Sequence, residues 1–129
     1  MENTSGTVGV ATPPEIRRLN WGAFFLGWIW CLAHGVWLGL ILSIFLSGIG
    51  NFILLFKGNE WAWQARKWES AEAFNNSQRA WAIAGLILVG LGLVCGVIGA
   101  VTGLFAALLA LLSGASTGEE GRLLLRLLM

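Results

Sequence analysis

In 129 residues, 57% are hydrophobic and 12% charged, and the mean hydropathy is +0.74. A soluble domain this short cannot bury so much apolar side chain, so lipid is the natural cover for the excess. The net charge of +1 excludes nucleic acid as a partner attracted by bulk charge.

Residues 1–15 begin the chain as a polar tract in which Thr, Gly, Val and Pro alternate without period, and they are expected to be a disordered leader. No basic residue precedes Arg17, so the tract lacks the charged start of a secretory signal and is expected to stay in the mature protein. A membrane domain is expected over 16–112. Its first apolar stretch, 21–56, is too long for one upright crossing of a ~30 Å hydrocarbon core and too short for two. Tryptophan prefers the water–lipid interface, and Trp21, Trp28, Trp30 and Trp37 crowd the first half. Residues 21–33 are therefore expected to lie in the interface or dip into it, and 35–56 to be the span. A single strongly tilted helix ending near Ser47-Gly48-Ile49-Gly50-Asn51 is the competing arrangement.

Lys57-Gly58-Asn59 is expected to end this first unit, with Gly58 as a left-handed cap and Asn59 capping a new helix that has Glu60 in its first turn. Residues 57–79 then form an amphipathic loop helix, interrupted at Asn75-Asn76-Ser77. The second apolar stretch, 81–112, would extend about 48 Å as one helix. It divides into a span over 81–101 and an extension over 102–112. Residues 113–129 are a polar, then amphipathic tail, in which Thr117-Gly118-Glu119-Glu120 can cap a short helix. The fold class is thus an all-α membrane protein with two long apolar helical units. Each unit is one span plus an interfacial or re-entrant piece, and both termini lie on one side. Trp21 and Trp28 anchor one face, and Trp61, Trp63, Trp68 and Trp81 the other. Basic residues divide evenly, Arg17, Arg18, Arg122 and Arg126 against Lys57, Arg66, Lys67 and Arg79, so charge does not orient the chain.

Asn20-Trp21-Gly22-Ala23-Phe24, then Trp28 and Trp30, the string Lys57-Gly58-Asn59-Glu60-Trp61-Ala62-Trp63, and Phe74, Gln78 and Trp81 resemble a group of small bacterial membrane proteins of unknown function. The likeness covers roughly residues 15–90. It implies a bacterial inner membrane location and supplies no mechanism.

Small residues carry the clearest pattern. Gly92, Gly96, Gly99 and Gly103 make small-xxx-small pairs, and Ala23, Gly27, Cys31, Gly35, Gly39, Ser43 and Ser47 recur at four-residue steps. Helices in lipid associate by close backbone approach, which such residues allow. The pattern serves either packing of the two units on each other or a surface for another membrane chain or a second copy. His34 is the only histidine. It is expected to be structural, bonded to water or a backbone carbonyl before Gly35; the alternative is a ligand to a haem or pigment. The two cysteines, Cys31 and Cys95, lie in apolar stretches and form no C-x-x-C pair or zinc spacing. No catalytic motif, metal site or cofactor site is visible. The expected role is a non-enzymatic accessory or assembly subunit or small homo-oligomer, with an oligomeric pore or transporter component and a pigment- or haem-binding subunit as alternatives.

Overall fold

A computed structural model describes residues 2–129, apart from the side chains of residues 115–117. Every regular element among the described residues is helical: a 3-10 turn Pro14–Ile16, then α1 Trp21–Leu26, α2 Trp28–His34, α3 Trp37–Phe45, α4 Gly48–Ala65 and α5 Ala71–Leu128. The chain forms two compact units, one ending at Val89 and the other comprising Gly90–Met129.

In the first unit, the stretch expected as an interfacial piece plus a span is instead four helices that fold back on one another. Gly27 separates α1 from α2 with φ 47° and ψ −114°, a conformation open to glycine. Gly35 ends α2 in the left-handed region, where its N–H reaches the carbonyls of Cys31 and Leu32. Leu46 and Ser47 separate α3 from α4, with Ser47 itself at φ 47°. The expected span over 35–56 is therefore interrupted. Nine-residue α3 is only about 14 Å long, half the thickness of a bilayer core.

Close contacts fix the helix directions. Asn20 meets Asn59, and the Cβ missing from Gly58 would lie 3.2 Å from Ala23, so α1 and α4 run antiparallel. Gly39 lies against Cys31 and Leu54, and Ser43 Oγ donates to Asn51 Oδ1 at 2.7 Å, so α3 is antiparallel to both α2 and α4. Gly22 abuts Trp81 and Gly85 abuts Phe25, so the start of α5 runs parallel to α1. Asn20, His34, Asn59 and Gln78 thereby gather at one end of the bundle. Gly27, Ser43 and Asn51 gather at the other.

Three further expectations are corrected here. Gly58 and Asn59 do not end a helix: α4 passes through them, because the missing side chain of Gly58 is what lets Ala23 approach. The break falls instead at residues 66–70, and Ser70 caps α5 by accepting from the N–H of Ala73 at 3.0 Å, so Asn75-Asn76-Ser77 is helical. The expected disorder of residues 1–15 also gives way to contacts. Asn3 Nδ2 donates to the Trp68 carbonyl, Gly6 N–H to the Trp63 carbonyl, and Ser5 Oγ accepts from the Trp68 N–H at 2.8 Å. A helix end leaves carbonyls unpaired, and the leader supplies donors to the segment that follows α4. Pro14 starts the 3-10 turn that carries Ile16 into the core.

In the second unit, α5 continues through residues 102–128, so the extension and the tail helix form no separate elements. The cap expected of Thr117 lies outside the described side chains. Described side chains in this unit are exposed apart from a half-buried Gly90, including Leu93, Val97, Leu104 and Leu111.

Candidate functional site: a buried amide–imidazole network

Three amides and one imidazole converge at the polar end of the first unit. Asn20 enters as the N-cap of α1, its Oδ1 accepting from the Ala23 N–H at 2.8 Å. Its Nδ2 donates to Asn59 Oδ1 at 2.7 Å and to Gln78 Oε1 at 3.0 Å. Asn59 Nδ2 donates in turn to the carbonyls of Ile16 and Arg18. Gln78 Oε1 also accepts from Trp30 Nε1 at 3.0 Å, and Gln78 Nε2 faces His34 Nε2 at 3.0 Å. His34 Nδ1 lies 2.9 Å from the Trp30 carbonyl.

Each amide orientation follows from a group that can play only one part. An indole N–H only donates, so the Gln78 atom facing Trp30 is oxygen. A backbone N–H only donates, so the Asn20 atom facing Ala23 is oxygen, and Asn59 must turn its nitrogen to two carbonyls. Gln78 therefore presents N–H to His34 Nε2, which accepts, while Nδ1–H donates to the Trp30 carbonyl. The imidazole is neutral and its tautomer is set. Burial pushes its pKa down to about 4; the Trp30 carbonyl opposes this, and the Arg66 charge adds to it.

Aromatic rings enclose the imidazole. Trp30 stacks on it at 4.3 Å between centroids, Trp81 meets it edge-on at 5.4 Å, and Trp68 lies at 6.0 Å with Arg66 on its face. No buried side-chain nitrogen or oxygen among the described residues lacks a partner. A network of this kind, fully satisfied, rigidifies a core and specifies one packing. Both ring nitrogens of His34 are engaged, so coordinating a metal would cost it the Gln78 bond. Among the described residues no group of three His, Cys, Asp or Glu side chains could hold a metal ion.

The structure distributes the other expected residues unevenly. Trp21 and Trp28 are exposed, Trp61, Trp68 and Trp81 are half-buried, and Trp63 is core, with Nε1 donating to Thr4 Oγ1. Trp30, from the first half of the chain's tryptophans, and Trp68 and Trp81, from the second, surround the same histidine, because α2, the segment 66–70 and the start of α5 meet at one polar end. Gly39 and Ser43 are buried where α2, α3 and α4 meet, while Gly35 is exposed at its turn. Nothing lies within 4 Å of the Cβ positions at Gly92, Gly96, Gly99 or Gly103. Asn20 and Gln78 carry no expected site role in the sequence, and Asn59 is expected only as a helix cap. Comparison with protein-family models, curated proteins and solved structures finds no match to this chain.

Proposed function

We propose that the chain is a non-enzymatic integral protein of a bacterial inner membrane that acts through helix packing, as an accessory or assembly subunit or a small homo-oligomer. The observation that carries this is the bare apolar surface of α5. Its most apolar 18-residue window has a mean hydropathy of 2.5, and only 6% of that window is buried. Leaving apolar surface in water costs about 25 cal/mol per Å², so lipid or other chains cover it.

One crossing, through residues 81–112, fits the hydrogen bonds better than two. Two crossings would put the leader and the segment 66–70 on opposite sides, yet Asn3 and Ser5 bond directly to Trp68. The helices α1 to α3, of 6 to 9 residues, reach at most about 14 Å. The first unit then occupies one leaflet, its turns at Gly27 and Ser47 pointing inward and its amide network at headgroup depth. Non-helical backbone at that depth must be covered or hydrogen-bonded: Gly27 is buried against Ser43 and Asn51, and at the exposed Ser47 turn the N–H groups of Ile49 and Asn51 donate to the carbonyls of Leu46 and Ser47.

Alkaline carbonate washing should leave the chain in the membrane pellet. Reporters inserted after Lys67 and fused at Met129 should then fall on opposite sides. Release by carbonate refutes membrane residence, and reporters on the same side refute the single crossing.

A further inference from the structure

Six basic residues belong to the first unit beyond the leader, and four have partners within the chain. Arg17 Nε donates to the Thr12 carbonyl, Lys57 pairs with Glu60, Arg66 covers the Trp68 ring and Lys67 Nζ donates to the Asn3 carbonyl. The side chains of Arg18 and Arg79 have none among the described residues. These two line the same pocket, of about 290 Å³, close to the ~300 Å³ lower end for small-molecule sites.

No carboxylate lines that pocket. Its floor is formed by Asn20 and Gln78, whose amides are already committed to the buried network. The Asn76 side chain supplies a further polar group on its wall. Two like charges facing one cavity repel each other, and a bound anion relieves that repulsion. A guanidinium presents its N–H groups as a planar fork suited to phosphate oxygens. Apolar residues also line it: Leu19 and Trp21, 45% and 46% exposed, and Ala82 at the start of the uncharged run of α5. Buried amides, two cations and apolar lining residues together suit a ligand with an anionic head and a hydrocarbon tail.

We propose that Arg18 and Arg79 form a site for the phosphate of an anionic phospholipid, its headgroup in this pocket and its acyl chains beside Trp21 and α5. The site rests on the membrane reading above. The headgroup depth of the polar end and the arginine pair then place lipid phosphate against the protein without further rearrangement.

The test uses the full chain purified in dodecyl maltoside, with thermal unfolding followed as dihexanoyl phosphatidylglycerol is added. A saturable rise in the unfolding midpoint is expected, and dihexanoyl phosphatidylcholine should produce none. Arg18→Gln with Arg79→Gln should weaken the apparent affinity at least about tenfold by removing both charge-assisted forks, while Arg126→Gln leaves it unchanged. Should the double glutamine variant not fold, Arg18→Lys with Arg79→Lys keeps the charge, loses the forks and should still bind more weakly than wild type. An equal response to phosphatidylcholine, or an unchanged affinity in the folded arginine variant, overturns the site. An equal shift with inorganic phosphate alone overturns the lipid assignment. Carbonate extraction is read separately: a released chain that still answers to phosphatidylglycerol through these arginines sinks membrane residence and keeps the site, and a retained chain with no response does the reverse.

Discussion

Gly39 and Gly50 in the first unit and Gly96 and Gly99 in the second do opposite things. At Gly50 an added Cβ would strike the Leu42 carbonyl, and at Gly39 it would lie 2.7 Å from Leu54, so these positions exist for close helix approach. At Gly96 and Gly99 it would meet nothing within 4 Å. Gly39 stands in a four-residue series, Gly50 does not, and Gly96 and Gly99 each belong to a four-residue pair, so spacing alone does not distinguish an occupied face from a vacant one. What distinguishes them is the turns of the first unit, which bring α1 to α4 back on each other, and the amides that lock them.

Removing the hub of that lock should produce the largest effect. Gln78→Leu leaves Trp30 Nε1 and His34 Nε2 without their partner. A buried polar group left unpaired costs roughly 1–3 kcal/mol, so a loss of at least about 2 kcal/mol is expected in denaturant unfolding of the purified protein. A loss below half that would mean that the network is solvated and the first unit is no tighter than the second. Gly50→Ala should cost about 1–3 kcal/mol by overpacking, while Gly96→Ala should change stability by no more than about 1 kcal/mol, in the favourable direction. Gly96→Leu should shrink a homo-oligomer in detergent without lowering the unfolding midpoint of the first unit. Equal costs at Gly50 and Gly96 would erase the contrast between the units.

Acid provides a finer probe. His34 is held neutral in the fold, with a pKa of about 4 against an ordinary value near 6.5. Between those values the unfolded chain binds a proton that the folded one refuses, so stability falls as pH is lowered from 6.5 toward 4. The slope for one group approaches at most about 1.4 kcal/mol per pH unit. His34→Gln keeps hydrogen-bonding capacity and removes the titration. Unfolding midpoints measured across this range should therefore lose that part of their pH dependence in the variant, and a variant as acid-sensitive as wild type would place the proton elsewhere.

The helical class follows from composition and apolar runs, and α1 begins at Trp21, where the first apolar stretch begins. Helix breaks were harder to see. Gly58 carries a cap-like signature, yet tertiary packing against Ala23 keeps it helical. Ser47 takes a positive φ uncommon for a residue with a side chain, so local propensity points away from the turn it makes. Ser70 ahead of Glu72 is a legible N-cap, overshadowed by the more conspicuous Asn75-Asn76-Ser77. At the site, the lone histidine is visible in the sequence, but its partners are not. Asn20, Asn59 and Gln78 stand far apart, each in a context that offers a local explanation as cap or surface amide, and only the fold brings them together.

The hydrogen bonds of the network join residues 39, 44, 48 and 58 positions apart. Contacts of such separation form late, because the intervening chain must be ordered before they return anything. During synthesis from the N-terminus, Trp30 and His34 emerge long before Gln78, the residue that satisfies both. The first four helices thus keep an open polar end until the chain has been extended to the threshold of its apolar run. Closure of the bundle in this way waits for Gln78, and a chain truncated before that residue would leave Trp30 Nε1 and His34 Nε2 without their partner.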